Sequence, residues 1–390
     1  MESLLIFLHE ERPNSKKCYL SNGCYHLYGL LSVHEIITSC KYYRGEALKK
    51  LGIILLVLLM VASIFVSGCT SSNEGNKSEV NETSTLTKLN IGYQPSTHQI
   101  AYMTAAEKGW WKSDLAPYGI TKINEYQFPT GAPEMQAMLA GDLDVAYVGA
   151  APAITALSSG LDAKIVEPVQ INGSSLVLRP EYKYESPEDL KGLKIATFPT
   201  GTIQDTLLRN WLKENGLDPE KDVTILGMTP GDAVTAISAK QVAAVFLPHP
   251  SPAVVEREGN GRTIVQSGEM EPNHSCCVLL VSGKLIREHP DVVEQIVKTH
   301  IKATKYNQEH VDEAAQIYSN KTSEDLETVK ASLKEWDGKW ITDPALIENS
   351  AVNYSKVQYE LGYIPKALTQ EEIFDTSFYE KAISEEQAKE

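Results

Sequence analysis

Short apolar runs alternate with longer amphipathic runs along most of the chain after Lys88. Apolar runs of about four to eight residues between turn residues are typical of buried strands, and apolar residues three or four apart are typical of helices. The apolar runs predict strands over residues 89–93, 121–128, 144–148, 163–167, 174–179, 193–197, 222–226, 242–246 and 276–282. The amphipathic runs predict helices over residues 98–109, 133–140, 202–215, 230–239 and 251–257, and the region 289–390 is predicted to be largely helical.

Two of these stretches, 89–148 and 193–246, have the same order of elements: strand, helix, strand, helix, strand. Repeated units of this kind form mostly parallel sheets with helices on both faces, so we predict two α/β lobes. The chain is expected to cross between them over 174–186 and 268–277. The predicted bounds are 88–180 and 276–390 for the first lobe and 181–275 for the second. Ligands of open α/β sheets bind beyond the carboxyl ends of strands, which places the predicted site in the cleft between the lobes.

The segment before the lobes has the layout of a secretory signal. An uncharged apolar run, 51–66, follows Lys49 and Lys50 and ends in Ser67–Gly68–Cys69. A basic segment, an apolar segment and small residues before a break are typical of signal peptides. As a helix this run rises about 24 Å, less than the roughly 30 Å of a bilayer's hydrocarbon core. We therefore predict a signal peptide over 48–68.

The end of this signal resembles a prokaryotic lipobox, Val66–Cys69, whose cysteine is lipidated and becomes the first residue of the mature protein. The polar segment 69–87 has no apolar face to pack, so we predict a flexible tether there. These features predict a protein anchored by lipid on Cys69 to the outer face of the cell membrane. The alternative is a signal anchor in which the cysteine is incidental. Because signal peptides begin with a short basic segment, we interpret 1–47 as the product of a misplaced gene start, with a genuine cytosolic extension as the alternative.

Composition and motifs exclude several functions. The chain carries a net charge of −15, and residues 69–390 alone hold 29 basic and 46 acidic side chains. Such an acidic body repels phosphate backbones, so nucleic acid is not an expected partner. The body contains no GxSxG, HExxH, GxGxxG or GxxxxGK[ST] motif. We predict a binding protein that is not an enzyme and needs no cofactor.

Four segments carry a resemblance to a known family. They are IGYQPS at 91–96, GDLDVAYVGAAPAI at 141–154, SPEDLKGLKIATFPTGT at 186–202 and KLIREHPDVVEQIVKTHIKA at 284–303. In this order they resemble solute-binding proteins of ABC importers, above all the nitrate, sulfonate, taurine and thiamine-pyrimidine binders. The resemblance implies a two-lobed periplasmic-binding-protein-like fold of type II, each lobe a mixed, mostly parallel sheet flanked by helices. It also implies a monomer that delivers a small solute to a permease and an ATPase encoded as separate chains.

The loops after the strands supply the candidate ligand contacts. The predicted ligand-binding residues are Tyr93, Gln94, Ser96, His98, Thr130, Gly131, Gly149, Ala150, Thr200, Gly201, Thr202, His249 and His274. Glycine beside hydroxyl residues at a helix start can present backbone N–H groups to an anion, which makes Thr200–Thr202 the leading candidate. The same threonines could instead only cap the helix. No lysine or arginine lies in these loops, so a zwitterion such as taurine or a neutral heteroaromatic stays open beside nitrate or a sulfonate.

Aromatic residues near the loops could enclose a ring or an alkyl chain, namely Tyr93, Phe128, Tyr147 and Phe198, although Tyr147 could equally be buried in the sheet. Histidines could donate hydrogen bonds to the solute. The same histidines, with Cys276 and Cys277, could instead bind Zn²⁺ or another transition metal. We predict no metal site, because the adjacent residues Cys276 and Cys277 should point to opposite faces of a strand.

Two other functions use the same fold. Relatives that make the thiamine pyrimidine carry a cysteine-rich motif where this chain has Ser275–Val278, and they use a histidine near the third strand of the first lobe. The corresponding segment here, Val148–Ala151, has no histidine, which disfavours a pyrimidine synthase-like enzyme. A surface sensor that passes its ligand-bound form to a receptor remains the other alternative.

Overall fold

The computed structural model describes residues 6–10, 16–20 and 86–389. Strands β1 (Ile6–Glu10) and β2 (Lys16–Leu20) form an antiparallel pair within the compact unit Met1–Glu82. The second compact unit is Thr83–Glu390. The predicted signal peptide and Cys69 lie outside the described residues, so the lipid anchor stays a prediction.

The strands of the second unit follow the predicted apolar runs closely. In chain order they are β3 (Lys88–Tyr93), β4 (Lys122–Gln127), β5 (Val145–Gly149), β6 (Ala163–Ile171), β7 (Ser174–Leu178), β8 (Lys194–Thr197), β9 (Thr224–Gly227), β10 (Ala244–Pro248), β11 (Arg262–Gln266), β12 (Ser275–Ser282) and β13 (Lys339–Trp340). The polar strand β11 and the two-residue strand β13 have no apolar run and were not predicted.

Helices connect these strands and make up most of the C-terminal region, as predicted. They are α1 (Ile100–Glu107), α2 (Trp110–Leu115), α3 (Gly131–Leu139), α4 (Ala150–Ser158), α5 (Ile203–Glu214), α6 (Pro230–Ser238), α7 (Ser251–Arg257), α8 (Ser267–Met270), α9 (Gly283–Glu288), α10 (Pro290–Glu309), α11 (Val311–Thr322), α12 (Leu326–Glu335), α13 (Glu348–Glu360), α14 (Gln370–Ile373) and α15 (Ser377–Gln387). Within the described part of the chain, no helix has both the length and the apolar character needed to span a bilayer.

The strands form two sheets of one design. The first has the order β13-β6-β12-β5-β3-β4 and the second the order β11-β7-β10-β8-β9. In the first sheet β3 pairs in parallel with β4 and β5, and in the second sheet β8 pairs in parallel with β9 and β10. The strand that returns from the other lobe, β12 in the first sheet and β7 in the second, pairs antiparallel with both of its neighbours. The two predicted series are therefore two α/β sheets, as expected. The sheets are mixed, as predicted, but not mostly parallel: two of five strand pairs in the first sheet and two of four in the second are parallel, because each returning strand enters in the opposite direction.

The predicted boundary between the lobes needs one correction. The division at residue 180 assigns Ser174–Leu178 to the first lobe, but β7 pairs with β10 and β11 in the second sheet. The chain crosses earlier, at Asn172–Gly173, where both residues have positive φ angles of 55° and 84°. An apolar run has the same sequence pattern in either sheet, so only the observed strand pairing shows that β7 belongs to the second lobe.

Strand alternation explains how the second lobe buries both faces of its sheet. Leu176 and Leu178 pack in an apolar cluster on one face, and Val177 packs in a separate cluster on the other. Residues two apart in a strand share a face, and a sheet covered by helices on both sides needs apolar residues at every position. This arrangement leaves the ends of the strands, where the loops emerge, as the place for polar chemistry.

Candidate binding site

A cavity of about 610 Å³ lies between the lobes. Its walls include residues from the loops after β3, β4 and β5 in the first lobe and after β8, β9 and β10 in the second. These are the carboxyl ends of the parallel strands, where open α/β sheets bind ligands. The volume lies within the range of about 300–1,000 Å³ typical of small-molecule sites.

The structure brings seven of the thirteen predicted residues to this cavity: Gln94, Ser96, His98, Gly131, Gly149, Thr202 and His249. The other six do not line it: Tyr93, Thr130, Ala150, Thr200, Gly201 and His274. Tyr93 stacks on Tyr102 in the core, and its hydroxyl donates to Gln127 Oε1 at 3.2 Å. Ala150 is fully buried, whereas Thr200 is exposed to solvent.

The segment Thr200–Thr202, the leading anion candidate, is already satisfied by the protein. The N–H of Gly201 donates to Asp205 Oδ2 at 3.1 Å, and the hydroxyl of Thr202 accepts the N–H of Asp205 as the helix cap. The carboxylate of Asp205 thus occupies the position that a bound anion would take. The capping interpretation of these residues is the one that the geometry favours.

Two other helix starts face the cavity without a side-chain cap. Neither Thr130, which precedes α3, nor Gly149, which precedes α4, provides a capping hydrogen bond. The first N–H groups of a helix have no partner within the helix, and the helix dipole adds partial positive charge there. The first lobe therefore presents two places where backbone N–H groups can receive an anion.

The start of α3 requires glycine because it packs directly on α4. A Cβ at Gly131 would lie 2.5 Å from Cγ and 2.9 Å from Cβ of Pro152. A change of ring pucker moves Cγ but hardly moves Cβ, so the contact cannot be relieved by the proline side chain alone. We expect Gly131→Ala to lower the free energy of unfolding by about 1–3 kcal/mol, the usual cost of overpacking. Urea unfolding measures this loss. The matched control is Gly231→Ala at the second residue of α6, where an added Cβ meets nothing within 4 Å. Equal losses in the two variants would contradict the packing argument.

Two of the predicted histidines, His249 and His274, bond to hydroxyl groups of the protein. His249 lines the cavity, but its Nε2 is 2.9 Å from the Ser175 hydroxyl and its Nδ1 is 2.8 Å from the Ser332 hydroxyl. Burial lowers its pKa to about 3, so the ring is neutral at physiological pH. His274 lies away from the cavity, with Nδ1 2.9 Å from the Tyr354 hydroxyl. Hydrogen bonds from the His249 ring to a solute would require Ser175 or Ser332 to move, whereas His274 is kept from a solute by its position outside the cavity.

The cysteine pair departs from the expected geometry. The Sγ atoms of Cys276 and Cys277 lie 3.3 Å and 3.8 Å from His98 Nδ1, so both thiols reach the same side of β12. The prediction that adjacent cysteines point apart is therefore wrong here. The reason is a shift in the pairing of β12 with β6, where Ser275 pairs with Ile171 and Cys277 with Gln170. Two residues of β12 are therefore advanced for one residue of β6, which is a β-bulge. A bulge interrupts the regular alternation of side chains between the two faces.

One basic side chain among the lining residues was missed by the sequence analysis. Lys321, near the end of α11, lines the cavity and pairs with Glu125 at 2.7 Å. Burial raises the pKa of Glu125, but hydrogen bonds from Lys321 and Tyr102 outweigh this effect and lower the pKa overall. Lys321 lies on a helix far along the chain from the strand-end loops, and no local pattern marks such a lysine as part of the cleft.

Apolar side chains complete the walls. Phe128 and Phe198 line the cavity as predicted candidates for enclosing a solute. Tyr147 does not, because it is fully buried in the first lobe with its hydroxyl 3.0 Å from His300 Nδ1. The cavity therefore combines helix starts, one lysine and aromatic walls.

Two α/β lobes of one design, joined by crossovers beside a cavity, define the two-lobed fold of periplasmic binding proteins. The alkanesulfonate-binding protein from Xanthomonas axonopodis, solved with MOPS bound, has this fold, with a TM-score of 0.64 and 20% identity over 74% of this chain and 98% of that one. The chain belongs to the NMT1-like family, which it matches over residues 82–319. The predicted resemblance and fold class are thereby confirmed.

Two relatives that match most of this chain are named for the solutes they bind. An aliphatic sulfonates-binding protein of Bacillus subtilis is 28% identical over 337 residues, covering 85% of this chain and 97% of that protein. A nitrate/nitrite binding protein of Nostoc is 22% identical over 323 residues, covering 71% of this chain and 72% of that protein. These relatives are solute-binding proteins rather than enzymes, in agreement with the prediction from the sequence.

Proposed function

We propose that this chain is the extracytoplasmic solute-binding subunit of an ABC importer and that it captures a small organic sulfonate between its lobes. The observation that carries the proposal is the cavity of about 610 Å³ on which two uncapped helix starts converge. A permease and an ATPase, as separate chains, would receive the solute. The lipid anchor at Cys69 would hold the protein at the outer face of the membrane.

The anionic group of the solute is assigned to the first lobe. The starts of α3 and α4 have no side-chain cap, so the N–H groups before Pro133 and Pro152, which themselves have none, can donate to an anion. Lys321 Nζ can add a charged hydrogen bond if it turns from Glu125. A sulfonate oxygen accepts several such bonds at once. Glu324 also lines the cavity, so an amino group on the solute, as in taurine, has a carboxylate available.

The size and the walls of the cavity favour an organic anion over nitrate. A four-atom ion would leave most of the volume to water. The rings of Phe128 and Phe198 and the side chain of Val254 would then face no apolar partner. Enclosing an alkyl or ring portion removes this apolar surface from water and contributes favourable free energy.

Ligand-induced stabilisation tests the proposal. The purified full-length chain is heated with nitrate, bicarbonate, taurine, an alkanesulfonate, MOPS and a hydroxymethylpyrimidine in separate samples. At 100 times its dissociation constant, a ligand specific for the folded state adds about 2.7 kcal/mol of stability. We expect this gain with a sulfonate and not with nitrate. Stabilisation by nitrate alone would contradict the assignment, and stabilisation by the pyrimidine alone would favour the heteroaromatic binder, for which Phe128 and Phe198 provide the argument.

Lys321→Gln is expected to weaken sulfonate binding by roughly 10–100-fold, because a hydrogen bond to a charged group contributes about 1.5–3 kcal/mol. Isothermal titration calorimetry measures the change. The matched control is Lys302→Gln, since Lys302 also pairs with an acid, Asp114, and lies 4.3 Å from an aromatic ring centroid, that of Trp110, but outside this cavity. If both variants bind the sulfonate like the unmodified protein, Lys321 has no part in the site.

A further inference from the structure

Three side chains of the types that ligate metals in proteins meet in the wall of the cavity, and they have no part in the proposed solute contacts. His98 Nδ1 and the two sulfurs of Cys276 and Cys277 all lie within 4.8 Å of one another. All three residues are buried, and all three line the cavity. Both cysteines are free thiols.

The spacing of these atoms fits tetrahedral coordination. Zinc bonds of about 2.0–2.1 Å to nitrogen and about 2.3 Å to sulfur place neighbouring ligand atoms about 3.6–3.8 Å apart. The observed separations from His98 Nδ1 are 3.3 Å to Cys276 Sγ and 3.8 Å to Cys277 Sγ. Both nitrogen–sulfur separations thus lie within a few tenths of an ångström of the spacing around one ion.

The surrounding groups hold the histidine in the orientation that a metal ligand needs. His98 Nε2 donates to the carbonyl oxygen of Gly173 at 2.7 Å, since a carbonyl can only accept. The proton is therefore on Nε2, and the lone pair of Nδ1 faces the sulfurs. Metal-bound histidines usually donate their other N–H to a carbonyl or carboxylate in this way. In addition, Gln99 Nε2 lies 3.8 Å from Cys277 Sγ, where it can donate to a thiolate.

We propose that His98, Cys276 and Cys277 form a binding site for a thiophilic metal ion of the Zn²⁺ class, with a fourth position open to the cavity. On binding, the two S–H groups lose their protons to solvent, and two metal–sulfur bonds and one metal–nitrogen bond form. Two thiolates balance the charge of a divalent ion, so the site adds no net charge to the cavity. Three protein ligands leave one tetrahedral position for water or for an oxygen of the solute. This inference goes beyond the proposed transport function.

Cobalt titration tests the site without any solute, so its outcome is independent of the proposed function. The full-length chain is used with Cys18, Cys24, Cys40 and Cys69 changed to serine, which leaves Cys276 and Cys277 as its thiols. After reduction and under anaerobic conditions, we expect one Co²⁺ per chain and a sulfur-to-cobalt charge-transfer band that one equivalent of Zn²⁺ removes. Absence of that band in the reduced protein would overturn the proposal.

Single substitutions assign the ligands. Cys276→Ser, Cys277→Ser and His98→Gln are each expected to lower zinc affinity at least about 100-fold, because even loss of an outer partner of a metal ligand costs about 10–100-fold. The control is His310→Gln, an exposed histidine. Unchanged zinc affinity in the cysteine variants would exclude the site.

Alkylation of the unmodified protein tests the site without any variant. Zn²⁺ should protect the peptide containing residues 276–277 from iodoacetamide, and equal labelling with and without zinc would overturn the proposal.

Discussion

The Glu167→Gln variant is expected to gain stability relative to the unmodified protein when the pH is raised from 5 to 8, by up to about 1.4 kcal/mol for each pH unit over which folded Glu167 keeps its proton. Glu167 lies in β6, is fully buried, and has no hydrogen-bond partner for either carboxyl oxygen. Burial alone raises its pKa well above the ordinary value of 4.5. The folded protein therefore holds this proton to higher pH than the unfolded chain, which releases it near the ordinary pKa.

The sign of this pH dependence follows from the number of protons bound in the folded and unfolded states. Where the folded state holds one proton more than the unfolded state, stability falls by about 1.4 kcal/mol for each pH unit. The contribution of Glu167 to the free energy of unfolding is fully present below its pKa in the unfolded chain. It is lost as the pH rises toward its pKa in the folded protein. Glutamine has no proton to release, so this slope disappears in the variant while all other titrating groups cancel in the comparison.

Urea unfolding at pH 5 and pH 8 measures the difference. The control is Glu309→Gln at the exposed end of α10, which should leave the pH dependence unchanged. Parallel pH profiles for Glu167→Gln and the unmodified protein would show that Glu167 ionises normally in the folded state.

The second large effect is expected at Asp205, where the Asp205→Ala variant should lose about 3 kcal/mol of unfolding free energy. The carboxylate is buried and pairs with Arg209 Nε at 2.8 Å, and it accepts the hydroxyl of Tyr363 at 2.8 Å and the N–H of Gly201 at 3.1 Å. Removing one partner of a buried ion pair costs about 3–5 kcal/mol, because the other charge is left without compensation. The lower end of this range applies because Arg209 keeps its contact with Glu220.

The matched control uses the same chemistry at an exposed position. Asp325 also begins a helix, accepts the N–H of Thr328 and pairs with an arginine, Arg257, but its side chain is 59% exposed. Asp325→Ala should cost about 1 kcal/mol, the usual loss of a helix cap. Denaturant unfolding of both variants gives the comparison, and a similar small loss in both would mean that Asp205 does not act as a buried ion-pair partner.

Asp205 also shows why an anion site cannot be located from a helix start alone. The pattern of glycine between threonines is present at Thr200–Thr202, as an anion site would require. The acid that accepts the N–H of Gly201 stands four residues after it, and its own N–H donates to the Thr202 hydroxyl, so its role is visible only from its hydrogen bonds. The uncapped starts of α3 and α4 have less distinctive sequences, yet they are the ones left open toward the cavity.

Local chemistry in the sequence determined the elements and the class of fold. Apolar runs with a period of two and helices with a period near 3.6 follow from backbone geometry, so most strands, the helices between them and the repeated series could be predicted. Seven of the predicted site residues line the cavity for the same reason, because strand-end loops of parallel sheets meet at one edge.

Tertiary structure alone decided the features that depend on distant parts of the chain. The sheet to which β7 belongs, the approach of Lys321 to the cavity, and the meeting of His98 with Cys276 and Cys277 involve separations that no local pattern encodes. A bulge in the pairing of β12 with β6 turned two adjacent thiols to one side. Sequence periodicity specifies which face a residue takes in a regular strand, and pairing with other strands determines where that regularity ends.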